Sequence, residues 1–174
     1  MTELTLIIIA LADEDDPNAI KMGRIPPATR KLEARAELFR QRLNAYTKGL
    51  LEPSDRQSQV TPFKTVQYLH RTMRDFVERE DIFGELQQVS NVDFNPKYRL
   101  CQAYIMKLKM TLPLESRREK LTVEAVHAMD YAFRADPDCS TCPEVLLDEV
   151  EKAASELSAI KMADGESMLT KSGV

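Results

Sequence analysis

Pro27 to Leu50, PATRKLEARAELFRQRLNAYTKGL, is the stretch that decides the fold class. Leu32, Ala36, Phe39, Leu43, Tyr46 and Leu50 follow one another at steps of four and three residues, which places all six on one stripe of an α-helix. A helix with such a stripe must bury it. Lys31, Arg35 and Arg42 run along one flank of the stripe, where they form either a solvated shoulder or a surface for phosphates or a protein partner.

Three stretches further along carry comparable stripes. Thr61-Pro62 offers an N-cap followed by proline, and Phe63, Val66, Met73, Phe76 and Val77 then predict a helix reaching Glu80, with His70 partly buried and hydrogen-bonded along it. Asp81 to Val89 reads as a continuation of that helix or a separate helical turn, weakened by Gly84. Asn95-Pro96 repeats the cap-then-proline device ahead of Cys101, Tyr104, Ile105, Leu108 and Leu112. Cys101, inside that stripe, reads as a buried, inert thiol. Ser116 to Glu119 has the form of a capping box, opening a helix that buries Leu121, Ala125, Val126, Met129, Ala132 and Phe133.

The segment before Pro27 is less regular. Leu4 to Ala12, LTLIIIALA, mixes β-branched and helix-forming residues, and with no convincing second strand in the chain it reads as a short buried helix with Thr2 as its N-cap. The competing idea is that another chain completes this segment, as a strand or an inserted helix. Asp13 to Asp16 oppose the dipole at a helix C-terminus, so the helix should end by Asp13. These acids lack the glycine and the terminal glutamate of an EF-hand loop and read as a solvated loop.

Near the C-terminus, Cys139-Ser-Thr-Cys142 is the most chemical-looking segment. Two cysteines at this spacing can form a redox disulfide or half of a tetrahedral zinc site. There is no second pair to complete the zinc site, and Thr141-x-x-Glu144 is itself a capping box with Pro143 in the first turn, which explains the segment as a helix start. Leu146, Val150, Ala153, Leu157 and Ile160 repeat the four-three spacing for two heptads, and residues 165–174 lack periodicity and read as a mobile tail.

These readings converge on an all-α protein: a single-domain bundle of five to six helices over residues 1–164, with short loops, an apolar N-terminal segment and a flexible tail over 165–174. Five glycines and no tryptophan in 174 residues agree with that class. Three cysteines cannot all pair within one chain, and the N-terminus lacks the pattern of a secretory signal, so a cytoplasmic, reducing setting is expected. Leu4 to Ala12 is too short to span a bilayer.

The net charge of −4 conceals blocks of −5 over residues 1–20, +6 over 21–50, −3 over 51–93, +4 over 94–128 and −6 over 129–174. Such alternation suits contacts within the chain or with a partner. No Gly-rich phosphate loop and no Ser-His-acid pattern appears, so neither a catalytic residue nor a cofactor is expected.

Three readings of function follow. The first is a noncatalytic helical interaction or assembly subunit that binds a protein partner or its own copies. The second is a nucleic-acid-binding module using Arg30, Lys31, Arg35, Arg42, Lys107, Lys109, Arg117, Arg118 and Lys120. The third is a thiol-redox or zinc protein resting on Cys139 and Cys142.

Overall fold

The structure, a computed structural model, describes residues 4–14, 21, 29–54, 61–89, 94–110, 118–135 and 144–155, with 29–30 and 118–121 described by backbone alone. It is mostly helical. In chain order the elements are α1 (Leu6–Asp13), α2 (Thr29–Thr47), β1 (Leu51–Pro53), β2 (Val66–Tyr68), α3 (Arg71–Val77), α4 (Glu80–Val89), α5 (Pro96–Met110), α6 (Arg118–Arg134) and α7 over residues 144–155. The chain forms two compact units: Met1–Asp13 with Ala28–Phe94, and Glu14–Pro27 with Asn95–Val174.

In the first unit, α1 packs on α2. Leu6 and Ala10 meet Ala36, Phe39 and Leu43, and Ile9, Leu51 and Val66 close over this core. The middle of the α2 stripe is therefore buried as its spacing predicts. Its C-terminal end is not: Tyr46 is 76% exposed and Leu50 also lies open. For Leu50 the reason is local, because Lys48 and Gly49 both take positive φ, 52° and 81°, and turn the chain out of the helix into β1. At Gly49 that left-handed backbone favours a residue without a Cβ.

α1 is a helix, as expected, and it ends at Asp13. Its first donors are met by backbone carbonyls from elsewhere in the chain. The N–H groups of Leu6 and Ile7 donate to the carbonyls of Lys64 and Pro62, at 2.8 and 2.9 Å, while Val66 N–H donates to Leu4 O at 2.8 Å and Thr5 bridges Thr65. A distant turn thus satisfies the first helical donors, while the hydroxyl of Thr5, directly before the helix, is buried with no hydrogen-bond partner among the described residues. Thr2 lies outside the described residues.

That turn corrects a second expectation. The predicted helix from Pro62 to Glu80 is instead a turn over 61–64, strand β2 and the short helix α3. β2 pairs antiparallel with β1 in the register Leu51–Tyr68, Glu52–Gln67, Pro53–Val66. Thr65, Val66 and Tyr68 have β-branched or aromatic side chains that suit a pleated surface, and their partners lie too far away in sequence for periodicity to reveal. His70 is exposed rather than partly buried. Its ring Nδ1 accepts from Thr72 N–H at 3.2 Å and caps α3, which requires the proton to sit on Nε2.

The second unit is organised by α5. Asn95 Oδ1 accepts from the N–H groups of Lys97 and Tyr98, at 3.1 and 3.0 Å, with Pro96 in the first turn, as the sequence predicts. α6 runs back along α5. Cys101 Sγ donates to Ala128 O at 3.3 Å, Tyr104 stacks on Tyr131 with ring centroids 5.8 Å apart, and Lys107 pairs with Glu124 at 2.7 Å.

Cys101 near the start of α5 meets Ala128, and Lys107 nearer its end meets Glu124, further back along α6, so the two helices run antiparallel. The expected face of α6 is buried only in its small residues, since Ala132 is inside and Ala125 packs against the Leu108 cluster while the larger residues are open. Ala128, Ala132 and Ala135 are inside, whereas Val126, Met129 and Phe133 are exposed, Phe133 at 74%. Small alanines let α6 approach α5 closely, and the larger residues beside them are left outside.

Leu146, Val150 and Ala153 of α7 are buried as predicted, with Leu108, Ala153 and Ala125 forming one cluster. Leu157, Ile160, residues 165–174 and the Ser116 capping box lie outside the described residues.

A candidate interaction face on α4

Two kinds of feature emerge among the described residues: internally paired charges and uncovered apolar side chains, the latter on α4 and also on α6, where Val123, Val126, Met129 and Phe133 are exposed. The charges come first, because they decide what the basic residues can do. Arg42 Nη1 lies 3.2 Å from Asp13 Oδ2, so the acid that ends α1 answers the basic flank of α2. In the second unit, Lys107 meets Glu124, and Lys109, only 5% exposed at its side chain, donates to Glu149 at 2.7 Å. These lysines flank Leu108 and fix α5 to α6 and to α7.

Both lysines are consumed by the fold. Glu124 Oε1 takes Lys107, while its Oε2 is buried with no hydrogen-bond partner among the described residues. Of the other predicted basic contacts, Lys31 is exposed and Arg35 half-buried and already engaged. Arg30, Arg118 and Lys120 lie on helices, and Arg117, Cys139 and Cys142 lie outside the described residues.

Cys101 is the described cysteine, free and fully buried, and burial pushes its thiol up to about 12. A thiol held protonated in this way is inert as a nucleophile, which agrees with the sequence reading. Burial likewise pushes the neighbouring Tyr104 phenol up to about 12, with Tyr131 and Glu124 adding to the rise. No group of three or more His, Cys, Asp and Glu side chains that could hold a metal is found among the described residues.

On α4 the apolar residues form one stripe. Ile82, Phe83, Leu86 and Val89 fall within an arc of about 120° at 100° per residue. The helix is thus strongly amphipathic, yet neither α3 nor α4 contains a buried residue. Phe83 and Leu86 are each 52% exposed and Val89 87%, with Phe76 of α3 also open. Helices of this length are marginal in water and normally persist by burying such a stripe.

The rims of the face are acidic. Each arginine here is matched: Arg71 with Asp75 at 3.7 Å, Arg74 with Glu78 at 2.9 Å, and Arg79 with Asp81 at 2.5 and 3.0 Å. The hydrogen bond from Arg79 holds the Asp81 carboxyl below its usual range. Glu80 and Glu85 have no such partner among the described residues. Residue spacing puts Glu85 beside Val89 on one rim and Glu80 beside Phe83 on the other.

The sequence reading did not single out this face. Spacings of one, three and three from Ile82 to Val89 carry it, but the segment is short and Gly84 interrupts its propensity. Exposure, the property that sets this stripe apart, is not encoded in periodicity.

The elements define a mostly helical protein with a small antiparallel β-hairpin, and among its described residues no helix is long and apolar enough to cross a membrane. The chain belongs to a family described as a domain of unknown function, DUF7791, whose model matches residues 1–119, from the N-terminal segment through α5 to the start of α6. No curated protein and no solved structure matches the chain.

Proposed function

We infer that this chain is a noncatalytic α-helical interaction or assembly subunit, acting through protein–protein contacts in a reducing, cytoplasmic setting. One observation carries the reading: α4 gathers Ile82, Phe83, Leu86 and Val89 on one side and leaves the last three exposed beside a half-buried Ile82. Contiguous exposed apolar residues with polar rims are the usual mark of a binding surface. The nucleic-acid reading ranks below it, because Lys107 and Lys109 are enclosed against Glu124 and Glu149 and Arg42 shares the surface with Asp13.

Site-specific photo-crosslinking tests the reading. A benzophenone side chain placed at Val89 should give protein adducts in an extract of the source cells, or dimers of the pure chain, while the same group at Gln88 on the far side of α4 should not. Leu86→Asp should abolish the Val89 adduct and leave the chain folded, at a cost of about 1–1.5 kcal/mol in unfolding free energy from lost half-burial and helix propensity. Equal labelling from both positions, or none from either, would overturn it.

A further inference from the structure

We propose that the α4 face docks a cationic amphipathic helix, one whose apolar stripe is edged by lysine or arginine. The proposal rests on the interaction reading above and names the partner of that same site. Shape comes first: a stripe of Ile82, Phe83, Leu86 and Val89 spans roughly 10 Å at 1.5 Å per residue, which suits two to three turns of a crossing helix presenting its own apolar stripe.

Charge selects among the occupants. α4 contains Glu80, Asp81 and Glu85 and no lysine or arginine, and Asp81 is already held by Arg79. The rims next to Val89 and Phe83 therefore present Glu85 and Glu80 to whatever covers the stripe. A second copy of the chain would bring the same carboxylates against them, and an anionic membrane or a nucleic acid would meet the same repulsion. A helix with cationic edges places its ammonium or guanidinium groups against both rims while its apolar side covers the stripe, which gives orientation as well as contact.

Fluorescence anisotropy with designed peptides tests this. The probes are two labelled 18-residue helices sharing one leucine stripe, edged with lysine in the first and glutamate in the second. The full chain should bind the lysine-edged helix about fivefold more tightly at low ionic strength, the effect of two solvent-facing charge pairs, and 0.5 M salt should shrink the difference. Glu80→Lys with Glu85→Lys should reverse the preference, and Leu86→Asp should weaken both probes.

Equal binding of both peptides, or stronger binding to vesicles of anionic phospholipid than to the lysine-edged helix, would overturn the cationic-helix assignment. If neither peptide binds while the Val89 crosslink still forms, the partner class is wrong and the interaction face stands. If the crosslink fails as well, both fall together.

Discussion

From Cys101 to Met106, α5 buries six consecutive residues, whereas α4 buries none over ten. The two helices differ less in sequence than in what surrounds them. α5 is covered by α6 through Cys101, Tyr104 and Lys107, and meets α7 through Leu108 and Lys109, so even Gln102 is enclosed and donates to Tyr98 Oη at 2.9 Å. α4 has a cleaner apolar stripe and less covering it. Amphipathicity therefore specifies that a face is suited to burial; the fold decides whether the chain itself supplies the cover.

The same substitution in each helix is the sharpest way to break that contrast. Leu108→Ala removes a side chain that is 1% exposed and should cost about 3–5 kcal/mol in denaturant unfolding, the cost of transfer plus a cavity. Leu86→Ala removes one that is half exposed and should cost less than about 1 kcal/mol. Equal costs would mean that the α4 face is covered in solution by the chain or its copies.

A smaller effect tests how α5 is clamped. Lys109→Met leaves Glu149 mostly enclosed without its partner and should cost about 2–3 kcal/mol, below the full cost of a deeply buried pair because Glu149 keeps some contact with water and with Lys152, 3.8 Å away. Adding Glu149→Leu should recover most of the loss, since both charges are then gone. A double variant no more stable than Lys109→Met would show that Glu149 holds α7 by contacts other than this pair.

The smallest effect concerns α4 itself. A Cβ added at Gly84 meets nothing within 4 Å, so Gly84→Ala should stabilise the helix by about 0.5–1 kcal/mol. If the face binds a helix as proposed, this variant should also bind it slightly better, because less ordering remains to be done on docking.

Much of the fold was legible because it depends on local rules. The Asn95-Pro96 start, the end of α1 at Asp13, the buried Cys101 and the Leu146, Val150, Ala153 stripe all follow from capping, dipole and periodicity within a few residues. The β-hairpin was not legible, since Leu51–Pro53 and Val66–Tyr68 are three-residue strands whose pairing is long-range. The exposed face was half legible: its spacing stands in the sequence, but its exposure does not.

The sequence by itself determined the helical class, the positions where most helices begin, and the alternating charge blocks, because each is written in spacing and residue type. Tertiary structure decided which of the apolar stripes became core. It turned the α2 stripe away at Lys48 and Gly49 and chose the alanine face of α6 over its larger neighbours. It also paired Lys107 and Lys109 with enclosed carboxylates and Arg42 with Asp13 at the surface, and left Phe83, Leu86 and Val89 exposed beside a half-buried Ile82. The physical reason is that burial is a property of pairs of surfaces, and a single stretch of sequence carries only one of them.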